Sequence, residues 1–293
     1  MLALLEQLKK HGLGALFFVT GHMAERLQAH PEILEQLEEH EIGYHSSGHS
    51  VHPTIFEFTD VESYEEAYQT STLRETSHIN PLTGEIEGPG GILFLRKLFP
   101  SKQITAFRAP GFCWSPPHTE ALRDLGIKFD FSSTFSPISV YYKGVTFYPP
   151  PGMYDWQGKT SYYRAFLLSI LRNRITIANL HPSLFVNQNE WDSIYHKGNP
   201  EQIDYPLPRR TIEIESLSYG FDLFLKRVKY LESIKLIETS PNLIKSDKNL
   251  KITEEEVVEC YEHSIRWAKK FFSYKPKYLR NHFLRFFDID PLG

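Results

Sequence analysis

Glu41-Ile42-Gly43-Tyr44-His45-Ser46-Ser47-Gly48-His49 is the stretch on which the fold turns. Ile42 to Tyr44 has the short extended pattern of a strand. Two histidines four residues apart follow it, and both can turn a ring nitrogen toward one divalent ion. In zinc proteases a pair with this spacing sits on a helix. Here Gly43, Ser46, Ser47, Gly48 and Pro53 surround it and argue for a strand end running into a loop. Spacing alone is not diagnostic, because chance pairs are common in a chain with 13 histidines. The bland alternative is two polar loop histidines.

Outward from this stretch, strands alternate with helices. Leu2, Leu4, Leu5 and Leu8 mark a first helix, stopped by Gly12 and Gly14. Ala15-Leu16-Phe17-Phe18-Val19 is uniformly apolar, as in a strand buried on both faces. A helical stretch from Met23 to His40 is interrupted at Pro31, a residue suited to a first helical turn. Asp60 is a candidate N-cap for a helix to Ile79. Pro81 to Gly91 reads as a loop and Ile92 to Phe99 as a short helix. Ile104 to Arg108 reads as a strand, and Ser115-Pro116-Pro117 opens a helix that closes at Gly126. Ile127–Phe131, Val145–Tyr148 and Ile175–Leu180 are expected strands. Tyr162–Asn173 and Thr211–Leu231 are expected helices. This alternation predicts a parallel sheet, open or closed into a barrel, with functional residues where strands end. His45 and His49, Arg108, Asp130 and His181 all lie at such ends.

Composition narrows the classes. At 293 residues and 41% hydrophobic, the chain can bury a large core. A net charge of −4 gives no electrostatic case for nucleic acid. Cys113 and Cys260 cannot build a disulfide framework. Apolar runs such as Ala165 to Leu171 are too short to span a bilayer. The first ten residues lack the basic start and long apolar stretch of a signal peptide, which points to the cytoplasm.

Five segments, in order, resemble the polysaccharide deacetylases with the NodB homology domain. Phe17-Phe18-Val19-Thr20-Gly21 is similar to the family's Thr-Phe-Phe-Val-x-Gly strand, and residues 41–49 to its Glu-Ile-Gly-x-His-Ser/Thr-x-x-His metal motif. Phe107-Arg108-Ala109-Pro110-Gly111-Phe112 resembles the Arg-x-Pro wall of the groove. Leu125 to Ser133 resembles the Leu-Gly…Tyr-Asp-Ser-Ser segment, and Asn179-Leu180-His181-Pro182 the late Leu-His motif. The resemblance implies a distorted, incomplete (β/α) barrel over residues 1–244. A helical extension over residues 245–293 lies beyond its reach. It implies hydrolysis of the N-acetyl or O-acetyl group of a sugar, a carbohydrate being the partner. A divalent metal, zinc above all, with cobalt, nickel or iron also suited, would be held by His45 and His49. His181 would be the general acid and Arg108 would orient a carboxylate. Leu180, Pro110, Gly111, Phe112 and Trp156 would face substrate, with backbone N–H groups beside Arg-x-Pro helping to hold an oxyanion.

One departure matters. The family's first motif supplies an aspartate base and an aspartate ligand from a strand before the first helix, and here that helix begins at Met1. Three readings stand. The start is short of the natural one and the longer protein is an active deacetylase; the chain is an inactive remnant; or another carboxylate substitutes, with Asp130 and Asp155 as candidates. The downstream motifs favour the first. Asp130 is expected to be a structural acceptor rather than a ligand. Gly88-Pro89-Gly90-Gly91 lacks Gly-Lys-Ser/Thr and reads as a turn, not a phosphate loop. Tyr141, Tyr142, Tyr148, Tyr154, Trp191 and Tyr195 are candidate sugar platforms, with packing as the plainer role. Other classes that fit are a non-catalytic carbohydrate-binding barrel and a metal-dependent amidohydrolase of a small cyclic amide.

Overall fold

In the computed structural model, residues 1–49, 61–80, 83, 85–133, 139–149, 175–188, 207–239 and 262 are described. The chain divides into two compact units. One comprises Met1–Leu16, Glu35–Glu41 and Pro151–Leu243, the other Phe17–Leu34, Ile42–Pro150 and Ile244–Gly293.

The second unit is built on short apolar strands that pair in parallel. Among the described residues six strands form one sheet: β1 (Leu16–Val19), β2 (Glu41–Tyr44), β5 (Ala106–Phe107), β6 (Phe129–Asp130), β7 (Val140–Tyr142) and β8 (Val145–Phe147). Their order is β1-β2-β5-β6-β8-β7. β2 to β5, β5 to β6 and β6 to β8 are parallel, with Tyr44, Phe107, Asp130 and Phe147 in one row across the sheet. This is the mixed α/β architecture with a parallel sheet that the alternation predicts. β1 and β7 are its edges among the described residues.

The row explains the core. Side chains alternate across a sheet, so Tyr44, Phe107 and Phe147 share one face, and all three are completely buried. Tyr44 and Phe107 meet at 6.0 Å between ring centroids, and Trp114 meets Phe147 at 4.7 Å. Residues one step on occupy the opposite face. There Phe18 contacts Phe131 at 5.3 Å, and Phe131 stacks on Tyr148 at 4.6 Å with rings 5° from parallel. Aromatic pairs of this kind contribute about 0.5–1.5 kcal/mol beyond the area they bury.

Helices take their ends from local chemistry. The helical stretch expected over Met23–His40 with an interruption at Pro31 is two helices, α2 (Gly21–Leu27) and α3 (Pro31–Leu37). Thr20 caps α2 by accepting the Met23 N–H at 3.1 Å, and Pro31 takes the first position of α3. α4 runs from Tyr64 to Thr76 and is capped by Ser63, whose hydroxyl accepts the Glu66 N–H at 3.1 Å. The expected cap, Asp60, lies outside the described residues. Ser77–Ile79, expected as the end of that helix, is instead β3, antiparallel to β4 (Ile86–Pro89). The expected Pro81–Gly91 loop is thus partly a ribbon: Pro89 takes the end of a two-stranded edge, where a missing N–H is tolerated. α5 spans Gly91–Leu98, and α6 spans Pro116–Asp124 behind Ser115 with prolines in its first turn.

β7 had no strand expectation. Its antiparallel pairing with β8 follows from the Lys143-Gly144 turn, where both residues have positive φ (48° and 86°). That is the two-residue hairpin geometry that matches strand twist.

In the first unit, α1 (Leu2–His11) buries Leu4, Leu5 and Leu8 and ends at Gly12 in the left-handed region. It packs on α7 (Thr211–Ser233). Asp222 of α7 accepts from Lys10 and His11 at 2.8 Å each and from Lys226 at 2.9 Å. Those hydrogen bonds hold its carboxyl well below the usual range. Ile175–Leu180 is a correction. No named strand forms there among the described residues, and of the segment only Ala178 takes part in a β-bridge. Tyr162–Asn173 and, apart from Glu262, the extension over 245–293 lie outside the described residues.

Candidate metal-binding site

Parallel register brings the strand ends of the second unit to one edge. His45 N–H donates to Val19 at 3.0 Å, Arg108 N–H to Tyr44 at 3.0 Å, Phe131 N–H to Phe107 at 2.9 Å and Tyr148 N–H to Asp130 at 2.8 Å. Each residue just past a strand is thereby held at the same level as its neighbours. His45 and Arg108, 63 residues apart in sequence, become adjacent.

His45 turns to the face opposite Tyr44, with Phe18 at 6.5 Å between ring centroids. Its Nδ1 lies 2.5 Å from the carbonyl oxygen of Arg108. A carbonyl only accepts, so Nδ1 carries the proton and the neutral ring keeps its lone pair on Nε2. Metal-ligating histidines are oriented by this kind of second contact. The His49 ring stands edge-on to His45, 4.7 Å between centroids at 75°. Two imidazoles so close, one with a fixed tautomer, are chemically suited to two positions around a late first-row divalent metal. Among the described residues no group of three or more His, Cys, Asp or Glu side chains is placed to hold a metal. The carboxylate of a mixed His/Asp donor set is therefore not found among them.

The connecting loop is shaped by close backbone approaches. Gly21 N–H donates to Ser46 and His22 N–H to Ser47, each at 3.0 Å. Ser46 has φ of 64°, a left-handed conformation that costs a non-glycine residue about 1–2 kcal/mol. Gly91 N–H donates to the Ser47 hydroxyl at 3.1 Å. A Cβ at position 91 would lie 2.8 Å from both the Ser47 Cα and the Tyr44 hydroxyl, so glycine is required there.

Arg108 and the turn after it form the next wall. The guanidinium lies over the Phe112 ring at 4.4 Å from the centroid, a cation–π contact. Pro110–Phe112 is a 3-10 turn in which Gly111 and Phe112 both have positive φ, 60° and 58°. Backbone donors here are largely committed: Ala109 N–H to the Ser132 hydroxyl at 2.7 Å, Phe112 N–H to Ala109 and Cys113 N–H to Pro110. Pro110 has none. Of the N–H groups expected to serve an oxyanion, that of Gly111 donates to no carbonyl among the described residues.

Asp130 is 1% exposed and accepts the Ser132 N–H at 2.7 Å. This is the structural-acceptor role its motif position suggests, and it ties β6 to the Arg-x-Pro turn through Ser132. Burial pushes the Asp130 carboxyl up to about 7, against Ser132 hydrogen bonds and the field of His118.

His181 and Leu180 belong to the first unit. His181 precedes the 3-10 turn Pro182–Phe185, and Phe185 meets Phe221 of α7 edge-on at 5.6 Å. Trp156, Asp155, Tyr154, Trp191 and Tyr195 lie outside the described residues. Tyr148 is buried in the stack with Phe131, so packing is its observed role. Tyr142 packs on Trp114 and Phe147, while Tyr141 is 43% exposed.

Two residues under the histidine loop were not singled out by sequence. Glu75 and His118 are each about 1% exposed at the side chain and lie 2.8 Å apart. A glutamate in a helix with Glu65 and Glu66 has the pattern of a solvated face, and only the tertiary fold reveals its burial.

No family model matches the sequence, and no curated protein matches it. Among solved structures the chain is similar to a Mycobacterium smegmatis protein provisionally named a polysaccharide deacetylase, with 15% identity and a TM-score of 0.46, over 84% of this chain and 80% of that one. It is also similar to the 4-alpha-glucanotransferase of Thermococcus litoralis, with 12% identity and a TM-score of 0.44, over 87% of this chain and 35% of the other.

Proposed function

We propose that the chain is a metal-dependent hydrolase that removes acetyl groups from N-acetylated or O-acetylated sugars, on an incomplete barrel of the NodB-homology type. The observation that carries this is the His45–His49 pair at the end of β2, its first ring locked through Nδ1 to Arg108. The ordered motifs from Phe17 to His181 support the same assignment.

In this proposal His45 and His49 hold the metal, and a carboxylate from outside the described residues completes the donor set. When bound, a divalent cation supplies Lewis acidity toward the acetyl carbonyl and acidifies water. The protein's own groups do the rest. Arg108, flattened over Phe112, presents its fork to a carboxylate and so orients a base. Gly111 N–H donates to the oxygen that gains charge in the tetrahedral state. By its place in the late Leu-His motif, His181 would be the general acid that returns a proton to the departing amine or alkoxide. Leu180, in the same motif, would belong to the acetyl pocket.

The test is acetate release from chitin oligosaccharides and from O-acetylated sugars, with zinc or cobalt present. Metal-dependent release that His45→Ala and His49→Ala both abolish upholds the proposal. Release that persists in both variants overturns it. Metal binding and sugar binding with no release would instead favour a non-catalytic carbohydrate-binding barrel.

A further inference from the structure

We propose that Glu75 is a positioning residue for the metal loop: its buried carboxylate grips Tyr44 and Ser46, the two residues flanking His45, and so fixes which way the His45 ring faces. The proposal rests on the assignment of His45 and His49 as metal ligands.

The Glu75 side chain leaves α4 on the helix-covered face of the sheet. Its Oε2 accepts from the Tyr44 hydroxyl, and its Oε1 accepts from the Ser46 hydroxyl at 2.9 Å and from His118 Nε2–H at 2.8 Å. Tyr44, the last residue of β2, and Ser46, in the left-handed region at φ of 64°, both turn their hydroxyls to this one carboxylate. With both neighbours held there, the His45 ring faces away from Glu75, where it meets Phe18 and the Arg108 carbonyl. Ser47 extends the grip. Its hydroxyl lies 3.1 Å from the Tyr44 hydroxyl, 3.0 Å from the Arg74 carbonyl that it donates to, and accepts the Gly91 N–H. The helix α4 and the start of α5 thus converge on the residues between the two histidines.

The charge state suits the task. Burial opposes ionisation of Glu75, but the hydrogen bond and attraction of His118, then the hydroxyls of Tyr44 and Ser46, hold its carboxyl below the usual range. An ionised carboxylate accepts from all three donors at once. Glutamine in its place would present an NH2 group to a hydroxyl or ring N–H and break part of the grip. His118 is steered in turn by Phe107, whose ring it meets edge-on at 5.4 Å. α6 and β5 therefore feed into the same contact.

The experiment uses the full chain as wild type, Glu75→Gln, Tyr44→Phe and, as a control, Ile127→Val in a core position away from the loop. Two quantities are read: the His45 tautomer in metal-free protein by long-range proton–nitrogen NMR, and cobalt affinity by titration. In wild type the His45 proton sits on Nδ1. Glu75→Gln is expected to mix the tautomers and weaken cobalt about 10–100-fold, the usual effect of losing an outer-shell partner. Tyr44→Phe, which removes one hydroxyl, is expected to weaken it about 10-fold. Ile127→Val lowers the unfolding midpoint and moves neither quantity. If Glu75→Gln folds with a wild-type His45 spectrum and wild-type cobalt affinity, the proposal is overturned. If Glu75→Gln does not fold, Tyr44→Phe decides by the same criteria. A wild type that binds no cobalt, yet whose His45 tautomer responds to Glu75→Gln, overturns the metal assignment and upholds the positioning role.

Discussion

His45 donates through Nδ1 to the backbone carbonyl of Arg108 at 2.5 Å. The candidate metal ligand is thus oriented by the backbone of the residue whose side chain forms the groove wall. The two contributions of Arg108 are separable. The carbonyl accepts from His45 Nδ1, while the guanidinium stacks on Phe112.

Arg108→Lys should therefore leave metal binding intact while weakening catalysis. Lysine keeps the backbone carbonyl and the charge but loses the planar fork and the stacking geometry. Loss of a hydrogen bond to a charged group costs about 1.5–3 kcal/mol, so kcat/KM for acetate release should fall about 10–100-fold. Zinc affinity measured on the same protein should match wild type. A joint loss of both would mean that the side chain, and not the carbonyl, supports His45.

Asp130 should give a pH signature. Its folded pKa is raised from 3.8 to about 7 by burial, so the folded state binds the proton more tightly than the unfolded chain does. The stability this contributes is full below about pH 4, declines as pH rises toward 7 and is absent above it. The displacement corresponds to at most about 4 kcal/mol. Glu75 has the opposite sign: its folded pKa lies below 4.5, so its contribution is constant above that value and does not enter a pH 5–8 window. Asp130→Asn keeps the acceptor for the Ser132 N–H and removes the titration. Urea denaturation at pH 5 and pH 8 should show wild type losing more stability than the variant across the interval. Equal losses would place the effect elsewhere.

Gly144→Ala should destabilise the β7–β8 hairpin. The residue has φ of 86°, and an added Cβ would lie 2.5 Å from the Arg123 Cδ. Left-handed backbone costs alanine about 1–2 kcal/mol, and displacing Arg123 adds to that. Lys143→Gly, at φ of 48°, should be neutral or stabilising in the same denaturation measurement.

The features legible in sequence were those with a local cause. Pro31 and Ser115-Pro116-Pro117 start helices because a proline needs no N–H partner in a first turn. Gly43, Ser46, Ser47 and Gly48 place the histidine pair on a strand-to-loop junction, and Asp130 accepts from Ser132 two residues on. What escaped was decided at long range. Ser77–Ile79 pairs with Ile86–Pro89 and leaves the helix pattern it continues. Glu75 is buried only because Tyr44 and Ser46 arrive from one distant segment and His118 from another. Ile175–Leu180 has β-branched composition, yet among the described residues only Ala178 of it is bridged, because pairing depends on chain distant in sequence.

The most direct measurement is zinc stoichiometry and affinity by equilibrium dialysis of the full chain against His45→Ala and His49→Ala. One zinc per chain in wild type, with affinity reduced at least about 100-fold in each variant, is the result expected if the two rings at the end of β2 are ligands. No zinc bound by wild type, or binding that survives both substitutions, would contradict a metal centre at His45 and His49.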